Sequence, residues 1–342
     1  MTDYTLAQLS NYSVYSAMVV LTLAMLAYAL YLARIAPERS ERTAEVRERE
    51  LVPAGAGAEK SASGLDAPPP GPGAGAGESP GVRAAGVDVP EPLGARKAGG
   101  VGRTLTMLGT LLVVAGVVLR ALEVHRWPLG NMYEFALVGA MFTLVLFTAW
   151  SARRDLRWLG LFVVGPVLLV LGAAITVWYT DASELMPSLR SYWLAIHVTV
   201  ATMTVAVFTI GASLGILYLI QDRLETSGSP RAAFMRRLPS ARGLERLTYA
   251  AHVVAFPMWS FTLIAGAIWA RQAWGSYWNW DPKEVWTFVI WVVYAAYLHA
   301  RATTGWKRQN ATWIALAGFV CVLMNFAVVN MYFVGQHSYS GL

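Results

Sequence analysis

Apolar residues along this chain fall in uninterrupted blocks, without the period-two alternation of half-buried strands. Eight blocks reach the roughly 20 residues that a helix rising about 1.5 Å per residue needs to cross a hydrocarbon layer. They run over about 12–33, 104–122, 132–151, 158–178, 192–221, 248–270, 285–303 and 311–333. Continuous runs argue against a transmembrane β-barrel, whose strands alternate. The pattern predicts an all-α polytopic membrane protein with about eight transmembrane helices. Between the first two blocks it changes character. Residues 36–50 are charged and mixed in sign, and residues 51–100 are rich in Ala, Gly and Pro, with PPPGPGAGAG in the middle. Such a stretch cannot bury a core and predicts a largely disordered linker. The organisation expected is an N-terminal transmembrane anchor (1–35), a cytoplasmic linker (36–103) and a seven-helix membrane domain (104–342).

Composition sharpens this picture. Of 342 residues, 56% are hydrophobic and 14% charged, against about 25% charged in soluble domains, which excludes a water-soluble enzyme built on one core. The net charge of +6 invites a nucleic-acid reading, but the placement of the basic residues answers to topology. Segments 34–103, 152–157, 222–247 and 301–310 hold 22 of the 27 Lys and Arg. The positive-inside rule puts these segments in the cytoplasm and both termini outside. The first block has no basic n-region or cleavage site before Arg34, so it reads as a retained anchor. No Walker or dinucleotide glycine motif is present. The single cysteine, Cys321, excludes a CxxC redox pair and a cysteine-rich metal site; it reads as a buried small hydrophobe.

This topology puts one unusual segment on the outer face, between spans six and seven. Trp269–Trp291 contains six Trp, at 269, 274, 278, 280, 286 and 291. An interfacial aromatic belt accounts for Trp269, Trp286 and Trp291. Trp274, Trp278 and Trp280 lie in a short loop with Gly275, Ser276 and Asn279, where large flat side chains suit a platform for a flat aromatic ligand. Asp281–Pro282–Lys283–Glu284 has the form of a helix start, with Asp281 as N-cap and Pro282 at the first helical position. Capping and ligand orientation are compatible tasks for Asp281.

The histidines sort by depth. His197, at the outer end of span five, and His337, just past span eight, flank the Trp-rich loop. Each taken alone is an ordinary interfacial histidine; together beside an aromatic loop, two imidazoles suit the two axial positions of a heme iron. His299 and His252 lie about 22 Å and about 27 Å of helix from the outer ends of spans seven and six, toward the cytoplasmic leaflet. An imidazole there is costly without a partner and marks a functional position, although His299 also fits a helix-end residue beside Arg301. His125, next to Arg126, reads as solvent-exposed. Two levels of histidine suit a route for a metal-bearing ligand across the membrane. The lack of clustered carboxylates and cysteines disfavours bare Zn²⁺ or Cu⁺.

The segment WGSYWNWDPKEVWTFVIWVVYAAYLHAR resembles the tryptophan-rich WWD signature of heme-handling membrane proteins. PLGNMYEF at 128–135, SYWLAIHV at 191–198 and GQHSY at 335–339 extend the resemblance to the CcsA family of System II cytochrome c biogenesis, also called ResC or CcsB. It covers residues 104–340 and leaves out the 36–100 linker. The resemblance implies a subunit of a holocytochrome c synthase (heme lyase) complex in the cytoplasmic membrane, working with a ResB-type partner. Heme b is carried to the outer face and presented to the CxxCH of apocytochrome c, where its vinyl groups form thioethers. It also implies that His197 and His337 are the external heme ligands and His299 the membrane-embedded one. The second inner ligand is His252 by depth, or a partner histidine by resemblance. No catalytic side chain is apparent, so the contribution is positioning. The alternative is a WWD heme chaperone or exporter that hands heme to a carrier without bond formation.

Overall fold

The computed structural model describes residues 3–35, 91–181, 185, 187–227, 235 and 238–337. Residues 36–90, most of the expected linker, lie outside the described residues. The described chain is helical, with no strand among those residues. Its long helices are α1 (Asp3–Ile35), α2 (Leu93–Val124), α3 (Met132–Arg153), α4 (Gly160–Thr176), α5 (Leu194–Ser227), α6 (Ala241–Trp274), α7 (Pro282–Ala302) and α8 (Arg308–Tyr332). Seven of the described helices are long and apolar enough to cross a membrane. The eighth expected span, α4, has 17 residues and Pro166 inside it. At about 25 Å it is shorter than a hydrocarbon core of about 30 Å.

The helix pair α1 and α2 shows why composition misplaces one boundary. Gly102, Gly109 and Gly116 recur every seventh residue, opposite Tyr28, Leu21 and Val14, which recur every seventh in the reverse direction. A Cβ at these glycines would sit 2.9, 2.6 and 2.9 Å from those side chains. Missing side chains let the two backbones approach closely without a hydrophobic driving force, and Ser10 Oγ donates to the Gly116 carbonyl at 2.9 Å. The contact extends to Ala95, Ala98 and Gly99, which are buried. Residues 93–103, expected in the linker, therefore belong to α2: small residues that look like linker are its packing surface.

Polar groups gather at the two ends of the bundle. At the end opposite the Trp-rich loop, Arg301 pairs with Glu245, and Arg157 bonds Asp155 at 2.5 Å and Glu91 at 2.9 Å. At the loop end a buried network ties α2 to α3. Arg120 Nε meets Glu134 Oε1 at 3.2 Å, and its Nη1 meets Glu123 at 3.2 Å. Arg126 Nη1 and the Gly130 N–H each donate to Glu134 Oε2 at 2.7 Å. Two arginines and two glutamates balance in charge, and Asn131 caps α3 by accepting from Glu134 N–H at 2.8 Å. This network fixes residues 126–131. Removing one member of a buried ion pair costs about 3–5 kcal/mol. Glu134→Ala is therefore expected to lower the thermal midpoint of the detergent-solubilised chain and expose the 126–131 segment to protease; an unchanged midpoint would contradict the role given to the network.

Candidate functional site

Residues 129–132, α5, α6, the Trp-rich loop, the start of α7 and the end of α8 enclose a cavity of about 1260 Å³ including its mouth. Its walls are mostly apolar: Leu129, Met132, Leu194, Val198, Leu263, Trp269 and Phe326 are among them. Val205, Trp259, Thr287 and Val322 also line it.

Two of the histidines expected at the loop end, His197 and His337, line this one cavity. His197 sits in a π-helical turn, Leu194–Val198, that opens α5. Such turns interrupt the regular ladder and recur at functional sites. Its ring edge lies against Gly266 of α6, where a Cβ would come within 2.8 Å of Cε1, and it meets Trp269 edge-on at 5.7 Å. Its Nδ1 is covered and makes no hydrogen bond of ordinary geometry.

His337 is held from behind by the helix start. Asp281 accepts from Lys283 N–H at 2.9 Å, and Glu284 returns to the Asp281 N–H at 3.2 Å, closing a capping box. The same carboxylate accepts from Gln336 N–H at 2.6 Å and from His337 Nδ1 at 2.9 Å. A carboxylate only accepts, so His337 carries its proton on Nδ1 and Nε2 is the basic nitrogen. Gly335 makes the approach possible, since a Cβ there would collide with Asp281 Oδ2. Burial pushes the Asp281 carboxyl up. The hydrogen bond from His337, with the N–H groups of Lys283 and Gln336, outweighs burial and holds it below its ordinary value. A lowered carboxyl contributes its stability above the unfolded value and loses it as pH falls through the folded one, so the clasp is complete at neutral pH.

The three loop tryptophans separate. Trp274 and Trp278 line the cavity, and Trp274 packs edge-on against His337 at 4.7 Å. Trp280 turns outward: it is 77% exposed and takes a left-handed φ of 57°, touching Trp278 by its edge at 5.9 Å. Sequence spacing alone gave no sign of this reversal.

The inner histidines differ in their surroundings. His252 is buried, with Gly211 against its Cε1 and its ring boxed by Phe208, Tyr294 and Tyr297. Its Nδ1 bonds the Thr248 carbonyl at 2.7 Å, and it does not line the cavity. His299 is exposed on α7, away from the face carrying Tyr294 and Tyr297.

Lys283, Asn325 and Asn330 were not singled out from sequence. Lys283 Nζ donates to the Asn325 carbonyl at 2.8 Å and to Asn330 Oδ1 at 2.9 Å, and all three residues line the cavity. Asn325 lies in a second π-helical segment, Met324–Val329. The signal was present in part: a Lys two positions into a helix whose cap faces the site.

Comparison with known proteins follows the same residues. The family model for cytochrome c assembly proteins matches residues 106–337. The cytochrome c biogenesis protein CcsA of Synechococcus sp. (strain CC9902) is 32% identical over 269 residues, covering 70% of this chain and 86% of that one. The chain belongs to the CcsA family. Its CcsA relatives include those of Guillardia theta, 32% identical over 264 residues, and Chlamydomonas reinhardtii, 34% identical over 246 residues, covering 70% of this chain and 68% of that one. This CcsA-family chain is thus a multi-pass membrane protein of cytochrome c assembly. The fold is shared with a solved structure of the cytochrome c heme lyase CcmF at a TM-score of 0.58 and 16% identity. The match takes in the whole of this chain and 50% of CcmF, so the chain spans half the length of that neighbour.

Proposed function

We propose that the cavity receives heme as cargo, holds its iron between His197 and His337, and presents its vinyl groups to apocytochrome c. The observation that carries this is the convergence of His197, His337, Trp274 and Trp278 on one apolar cavity. Among the described residues, no group of three or more His, Cys, Asp or Glu side chains is placed to hold a metal ion. Two imidazoles without further ligands do not satisfy a bare ion, but they suit a metal whose other positions are filled by its own macrocycle. The aromatic walls suit that macrocycle's faces.

The chain's own contribution is positioning. Asp281 orients His337 so that Nε2 faces away from the clasp, the arrangement that raises ligand basicity and fixes ring orientation. Thioether formation adds each cysteine thiol across one vinyl group: sulfur bonds to the carbon next to the ring and hydrogen goes to the terminal carbon, with no net oxidation. Holding the vinyl edge against two thiols at the mouth supplies the proximity such an addition needs.

The reading includes a ResB-type partner in the cytoplasmic membrane. His299, exposed at membrane depth, is the inner ligand of the route, and the buried His252 leaves the opposite axial position to a histidine from outside this chain. Heme in the purified complex should fall in His299→Ala and persist in His252→Ala; equal loss in both would support the in-chain pair instead.

The test of the outer site uses the divergence among the tryptophans. Trp274→Ala and Trp278→Ala are expected to lower heme retention roughly tenfold, with Phe restoring most of it, because a flat apolar face is the requirement. Trp280→Ala is expected to retain heme. Equal loss for all three, measured by heme content per purified chain, would contradict this geometry.

A further inference from the structure

The heme reading leaves one group in the cavity wall without a task. Lys283 is the sole Lys or Arg among the described lining residues. A cation facing a mostly apolar cavity is costly unless compensated. Its two acceptors, the Asn325 carbonyl and Asn330 Oδ1, are both neutral, and an ammonium has three N–H groups. Of the neighbouring carboxylates, Asp281 and one oxygen of Glu284 are committed elsewhere, and the other Glu284 oxygen, Oε1, is buried in the same wall without a hydrogen-bond partner. Asp281 accepts from Lys283 N–H, Gln336 N–H and His337 Nδ1, while Glu284 Oε2 accepts from the Asn279 and Asp281 N–H groups. The ammonium is held in place by two neutral oxygens with one donor left over. This is the arrangement of a preorganised anion site.

We propose that Lys283 recognises a carboxylate of the cargo, a propionate of the porphyrin, and thereby sets which edge of the macrocycle points into the cavity. The proposal rests on the heme reading and deepens it. Two imidazoles fix the iron but leave the macrocycle free to turn about the axis that joins them. Aromatic walls grip its faces without distinguishing its edges. A charge-assisted hydrogen bond to one edge removes that freedom, and with it the ambiguity over which side carries the vinyl groups.

The competing role for Lys283 is a tether between α7 and α8, which would be indifferent to the carboxylates of the ligand. Binding of iron protoporphyrin IX and of its dimethyl ester to the purified full chain separates the two. The unmodified chain is expected to prefer the free acid on the order of tenfold, the scale of one charged hydrogen bond. Lys283→Gln keeps N–H donors near Asn325 and Asn330 but removes the charge. It is expected to weaken binding of the free acid to the level of the ester while leaving the ester unchanged. Lys283→Arg is expected to keep the preference. A tether would weaken both ligands alike. No preference in the unmodified chain, or an undiminished preference in Lys283→Gln, would overturn the proposal. Binding of neither ligand to the unmodified chain would instead remove the heme reading, and this inference with it.

Discussion

His197→Ala and His337→Ala are each expected to abolish cytochrome c maturation while the chain still inserts and accumulates. Both imidazoles line one cavity, and neither is part of the buried ion-pair network that fixes residues 126–131. Losing either leaves the cargo held from one side only, so the positional precision needed for vinyl addition disappears. Misplacement by about 1 Å costs about a hundredfold in rate, and loss of a ligand is a larger disturbance. Added imidazole is expected to recover part of the activity by filling the vacated position. Normal holocytochrome levels in the double alanine variant would contradict the assignment.

The second large effect falls on Asp281, where two tasks separate by substitution. The residue caps α7 and also holds the His337 ring and the Gln336 main chain. Asn caps helices about as well as Asp, whereas Ala at such a position costs about 1 kcal/mol. Asp281→Asn is therefore expected to melt close to the unmodified chain and Asp281→Ala measurably lower. Asn, however, offers one carbonyl oxygen in place of two carboxylate oxygens that serve three donors. Both variants are expected to lose maturation by tenfold or more, the range found when groups that orient a metal-bound histidine are removed. Asp281→Asn with full activity would reduce the residue to a cap.

The contrast between these residues and their neighbours shows what a sequence makes legible. Long apolar blocks locate the eight long helices, because crossing length is set by the hydrocarbon layer, but not all of their ends: α1 begins at Asp3 and α2 at Leu93. The shared depth of His197 and His337 was readable for the same reason: both stand at helix ends on one side. Asp281–Pro282–Lys283–Glu284 announced its cap through local chemistry alone. The start of α2 was not readable, since Gly and Ala that favour a linker in isolation become a contact surface once α1 lies against them. The outward turn of Trp280 depends on one positive φ that no residue pattern specified. Rotation about a helix axis was equally hidden. His252 and His299 have comparable depth, yet one is buried among Tyr294, Tyr297 and Phe208 and the other exposed. The acceptors that meet Lys283, the Asn325 carbonyl and Asn330 Oδ1, lie in and just past the π-helical segment of α8, a departure from regular geometry that hydropathy does not encode.

The central claim is that His197 and His337 together hold one heme in this cavity. The visible spectrum of the purified full chain, reconstituted with iron protoporphyrin IX, tests it most directly. Two imidazole ligands give a low-spin spectrum with sharp reduced bands. The account predicts that spectrum for the unmodified chain, its conversion to a five-coordinate form in His197→Ala and in His337→Ala, and its return on adding imidazole. A low-spin spectrum that persists unchanged in the double alanine variant would contradict it.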